Sequence, residues 1–195
     1  MWILTLEWLL LAFCVLWGIG AAKRLKRLRA QCKSAFATVE AQCAQVLDLQ
    51  RSCARLQALK EQVTAVYVQH AQEVLLPSAD VLQAALQQVR QHPLRPASIA
   101  ALDHAWHGVQ QAWQAYAQRC AAETAVHAEH AHDWSQRWLQ LQALQTHSAA
   151  QFNAAVADYN RAIAQFPACV MARLGGHRAT PTFQKDAAHW MQPTA

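Results

Sequence analysis

The first residues, MWILTLEWLLLAFCVLWGIGAA, carry a single charge, Glu7. As a helix from Trp2 to Ala22 this stretch is roughly 30 Å long, the thickness of a bilayer's hydrocarbon core. Glu7 then lies near one end, where its carboxylate reaches the interface. Trp2 and Trp17 stand towards opposite ends, as interfacial anchors do. The apolar run stops abruptly at Lys23, Arg24, Lys26, Arg27 and Arg29, with Lys33 close behind. A cleaved signal peptide is the competing reading. It lacks a basic n-region here, and the basic cluster sits where translocation would have to proceed. The pattern predicts a single-pass anchor over residues 1–22, N-terminus outside and the remaining chain in the cytoplasm.

Charge beyond the anchor excludes one class of partner. The formal net charge is +5, and six basic residues between 23 and 33 supply the excess. From residue 34 onward eleven basic residues face eleven acidic ones. That balance leaves no basic face for nucleic acid. The cluster at 23–33 either sets topology alone or also engages anionic lipid heads, at roughly 1 kcal/mol per basic residue. Six cysteines form no CxxC and no metal-ligand spacing. Cys32 and Cys43 on one helix would stand roughly 16 Å apart, beyond disulfide reach. They read as small apolar core residues in a reducing compartment.

The soluble part is patterned for helices. Gly and Pro number only 5 and 6, and Ala, Gln and Leu recur throughout. Leu25, Leu28, Cys32, Ala35, Val39, Val46, Leu49, Cys53, Leu56 and Val63 keep a three-and-four alternation broken by Gln42 and Lys60, the seam of a helix packed on helices. Asp48 is an available N-cap, and both a break there and an unbroken helix are open. Pro77 is expected to end one helix and Ser78 to cap the next. Pro93 and Pro96 flank a loop, with Ser98 available as a cap. Leu102, Trp106, Val109, Trp113, Tyr116 and Cys120 form another stripe. Its continuation falls on Glu123, His127 and His130, so the next connection is expected there. Trp138, Leu141 and Leu144 then lead into Phe152, Val156, Tyr159, Ile163 and Phe166. In DYNRAIAQFP, Asn160 either bonds a neighbouring helix end or faces water, and Pro167 kinks or ends the helix. Gly175 and Gly176 stop the last helix.

The expected fold is all-α: an N-terminal transmembrane helix followed by an antiparallel helical bundle of the four-helix type. The bundle is assigned to residues 23–176, and residues 177–195 to a loosely ordered tail.

Chemistry finds little support. Glu123, His127 and His130 share one helical face at a spacing able to present ligands to zinc or iron, which makes them the candidate metal ligands. Glu129 and His132 form an ExxH, but di-iron bundles need two copies and two further glutamates, and no second copy exists. His104 and His107 flank a core tryptophan and read as its exposed neighbours. There is no GxSxG, no HExxH and no glycine-rich phosphate loop. The expectation is a non-enzymatic chain with no cofactor. A metal sensor or metal-dependent enzyme built on Glu123, His127 and His130 is the alternative.

FNAAVADYNRAIAQFPACVMARLGGHRATPTF, residues 152–183, resembles the C-terminal signature of the LemA family of bacterial membrane proteins. The matching positions include Asn153, Val156, Tyr159, Asn160, Ile163, Phe166, Pro167, Ala172, Leu174, Gly176, Pro181 and Phe183. Residues 24–40 are similar to the family's start. The chain departs from the pattern at Gln50 and Arg51, where the family writes Ile-Pro, and near 120–124, where a Tyr-Pro break is missing. The resemblance implies a short outer N-terminus, one transmembrane helix and a cytoplasmic bundle, with no established activity, catalytic residue or cofactor. The expected role is that of a membrane-anchored scaffold or interaction module. Its expected partners are the lipid bilayer and an unidentified membrane or cytoplasmic protein; a homo-oligomer is open.

Overall fold

In a computed structural model the described residues are 2–59, 65–122, 128–166, 168–176 and 178–183. They form five helices and no strands: α1 (Trp2–Leu59), α2 (Ala65–Gln91), α3 (Pro96–Ala122), α4 (Ala128–Ala164) and α5 (Ala168–Leu174). The all-α, antiparallel bundle expected from the sequence is the architecture observed.

α1 is the organising element. Its 58 residues run unbroken through Asp48, so the capping option there is not used. A helix of this length spans roughly 87 Å, far longer than a compact bundle needs. Contacts along it run in reverse register to α4: the Cys32 thiol donates to the Ala155 carbonyl at 3.3 Å, and Phe36 meets the Phe152 ring edge-on at 5.6 Å. α2 also runs antiparallel to α1, with Arg90 bonded to Glu40 at 2.5 Å and Arg51 to Asp80 at 3.8 Å. Gln50, fully buried, reaches the Ser78 hydroxyl at 3.4 Å. Gln50 and Arg51, the pair standing where the LemA-like pattern has Ile-Pro, thus leave α1 intact and tie it to α2. α3 packs on α2. It meets α4 through a ring stack: Trp138 lies 4.8 Å from Trp113 and 6.3 Å from Trp106, nearly parallel to both.

One main core unites these four helices, and it holds Cys32, Val39, Val46, Leu82, Leu102, Trp106, Val156 and Tyr159. A smaller cluster of Leu25, Ala162 and Ala172 joins α1, α4 and α5 below it. The molecule is therefore stepped. The α2–α3 turn lies level with Glu40, roughly 25 Å along α1 from Lys23. Among the described residues only α4, α5 and the following segment reach further towards the apolar end.

Several local expectations change. Pro77 lies inside α2 and does not end it. Its ring is exposed, and so is Glu73, whose carbonyl loses its helical partner there. Ser78 is not a cap: its hydroxyl bonds back to the Leu75 carbonyl at 2.9 Å. Ser98 is not a cap either. Pro96 takes the first helical position, and the Arg95 carbonyl already accepts the amides of Ser98 and Ile99 at 3.0 and 3.1 Å. Leu144 is 49% exposed, and Gln145 and Ser148 are buried instead. The buried positions Trp138, Gln145, Phe152 and Tyr159 repeat every seven residues, and Leu144 falls one position off that line. Phe166 is 75% exposed and does not join the core stripe.

The last turns follow the sequence more closely. α3 ends at Ala122 and α4 starts at Ala128, so two helices replace one; residues 123–127 lie outside the described ones, and His130, expected in the connection, falls in α4. Gly176 adopts φ +63 and its amide bonds the Arg173 carbonyl at 3.3 Å, the left-handed cap that glycine favours. Pro167 lies outside the described residues.

Candidate membrane-facing site

α1 is the one helix among the described residues long and apolar enough to cross a membrane, and no residue of its apolar window is buried. A core helix of a soluble protein would bury that window. Leu9, Leu10, Phe13 and Leu16 all face outwards. The helix then changes character within a turn. Leu25 is buried, whereas Lys23, Arg24, Lys26, Arg27 and Arg29 are exposed. Those five cations form a collar around α1, interrupted only along the face that Leu25 and Leu28 turn to the bundle.

α4 and α5 meet the collar from the side. Ala162 and Ala172 both pack on Leu25, which brings the neighbouring Arg161 and Arg173 to the same level. Arg161 pairs with Asp158 at 3.3 Å, a solvent-exposed pair of little energetic weight. The elbow between α4 and α5 continues past the collar. The Phe166 ring lies 5.4 Å from the Trp17 ring, tilted by 59°. Met171 approaches Gly18 closely enough that a Cβ there would stand 3.7 Å from its terminal methyl.

Above the collar, two asparagines of α4 hold the segment after α5. The Asn160 side-chain amide donates to the Thr180 carbonyl at 2.8 Å, and its oxygen accepts the Thr180 amide at 3.0 Å. Asn153 does the same for Phe183, at 2.5 and 2.7 Å. Each side chain thereby imitates a neighbouring peptide group, satisfying a donor and an acceptor of the segment. The spacing explains why both can act. Seven helical residues rise about 10 Å, and three extended residues span about the same length. The segment therefore runs antiparallel to α4, seats Phe183 in the main core and buries Thr180. The Thr180 hydroxyl bonds the Leu94 carbonyl at 3.4 Å, fastening the α2–α3 turn. Leu94 sits there at φ 66, a strained conformation for a side chain of its size.

This clasp corrects two expectations. Asn160 makes a structural contact, with the segment after α5 and not with a helix end, and the part of the 177–195 tail that is described, 178–183, is held and not loose. The cause is the pair of asparagines together with the burial of Phe183. Tyr159, between them in sequence, is buried, and burial pushes its phenol up while Arg29 of the collar opposes the shift.

The remaining candidates are placed as follows. Glu123 and His127 lie outside the described residues, and His130 falls in α4 with no described side-chain position. Among the described residues no three His, Cys, Asp or Glu side chains gather as metal ligands would. His104 is exposed as expected, whereas His107 is half-buried and donates through Nδ1 to the Asp103 carbonyl at 2.8 Å. All six cysteines are free. Burial pushes the Cys43 thiol up to about 12 and Cys53 up to about 11, the latter moderated by its hydrogen bond to Tyr116. The Tyr116 phenol is raised as well, by burial first and then by Cys53 and Cys120. Thiols held neutral in this way are poor nucleophiles.

No family model, no curated protein and no solved structure matches the chain.

Proposed function

We propose that the chain is a non-enzymatic, membrane-tethered helical bundle of the LemA type, serving as a scaffold or interaction module on the cytoplasmic face of a bacterial inner membrane. The observation that carries this reading is the continuity of α1. One unbroken helix passes from an exposed apolar half, through a basic collar, into the seam of a four-helix core. Such a helix confines the bundle to the membrane surface and raises its effective concentration for membrane-bound partners. The collar favours the cytoplasmic side by the positive-inside rule.

A pair of reporters fused after Ala195 tests the orientation. A reporter active only in the cytoplasm is expected to be active, and one active only in the periplasm silent. The opposite pattern contradicts the orientation. Cross-linking of intact membranes followed by purification then identifies the partner.

A further inference from the structure

We propose that the α4–α5 elbow is a second membrane contact, inserting Phe166 and Val170 into the lipid interface beside the anchor. The proposal rests on the reading of α1 as a membrane-spanning helix. Given that reading, depth follows from contact. Phe166 touches Trp17, and Trp17 precedes Lys23 by six residues, or roughly 9 Å along a helix. Interfacial apolar faces bury about 5–10 Å into the headgroup and acyl boundary. The elbow therefore sits at the depth where such faces insert.

Its surface fits that place. Phe166 is 75% exposed and Val170 44%, on a fold that otherwise buries most of its aromatic rings. Phe166 is continuous with the exposed apolar surface of α1 at Trp17, itself 43% exposed. Arg161 and Arg173, the cations flanking the elbow, adjoin Ala162 and Ala172, which cluster with Leu25 at the level of the collar. Apolar residues below and cations above is the partition a lipid interface selects. The occupant is thus lipid, acyl chains against Phe166 and Val170 with anionic heads at the arginines. A single helix would leave the bundle free to lean, whereas a second contact fixes its stance on the membrane.

The test uses the full chain reconstituted into phosphatidylcholine–phosphatidylglycerol vesicles. A photoreactive p-benzoylphenylalanine replaces Phe166, Leu10 or Leu139 in turn. All three side chains are exposed, so the substitutions disturb no core. Mass spectrometry after illumination is expected to find lipid adducts at positions 166 and 10 and none at 139. Adducts at 10 without adducts at 166 overturn the elbow insertion and leave the anchor intact. Loss of adducts at both positions overturns the anchor itself. A cross-linked dimer through position 166 in place of a lipid adduct also overturns the proposal, because the elbow then faces a second copy.

Discussion

Asn153→Ala removes both hydrogen bonds that tie Phe183 to α4. A typical hydrogen bond contributes about 1 kcal/mol net, so the pair is worth about 2 kcal/mol. A tenfold change in an equilibrium corresponds to about 1.4 kcal/mol, which makes opening of the segment roughly 30-fold more frequent. Hydrogen exchange reads this directly, because the Thr180 and Phe183 amides are themselves the clasped donors. In Asn153→Ala both amides are expected to exchange faster, although Asn160 still stands opposite Thr180. The two points are only three residues apart and share Phe183 as their apolar seat, so they open as one unit. For the same reason Asn153→Ala with Asn160→Ala costs less than the sum of the two. Unchanged exchange at Phe183 would refute the clasp. Faster exchange at Phe183 with unchanged exchange at Thr180 would refute its cooperativity.

Other outcomes follow from the same packing. Phe183→Ala is expected to destabilise the full chain by about 3–5 kcal/mol, because its ring is fully buried. Phe166→Ala, at a position 75% exposed, is expected to change thermal unfolding little while altering membrane contact. Trp138→Ala, which removes the ring stacked on Trp106 and Trp113, should cost about 3–5 kcal/mol in a denaturant titration. Stability is expected to hold up to about pH 9 and to fall as pH rises towards 11 and 12. The unfolded thiols ionise near 9.0, whereas folded Cys53 and Cys43 hold their protons to about 11 and 12, so the unfolded state binds fewer protons in that window. Alkaline unfolding unchanged by replacing both cysteines with Ala would contradict this assignment.

Much of the scaffold was legible because it is written in local period. The exposed run before Lys23, the stripe from Leu102 to Tyr116 and the cap at Gly176 each follow from neighbouring residues alone. Pro77 misled because a proline inside a helix can kink it without ending it, and whether the helix resumes depends on the packing of its neighbours, here buried Leu75, Ala79 and Leu82. Gln145 was missed in favour of Leu144 because a polar residue in a heptad register hides the register. The clasp was illegible for a different reason. It joins residues 20 and 30 apart, and its acceptors and donors are backbone groups of a segment without any periodic pattern. Only the even match between seven helical and three extended residues could have suggested it. Phe166 carried core spacing, yet α4 ends at Ala164, so the helical period no longer governs where its ring points.

The central claim is that residues 1–22 remain on the chain and hold it in a bilayer while α1 continues into the bundle. Alkaline carbonate washing of membranes, followed by the intact mass of the retained chain, tests it in one measurement. The account predicts the full 21.7 kDa chain in the washed membranes. A chain shortened at its N-terminus, or one released into the wash at full length, would contradict it.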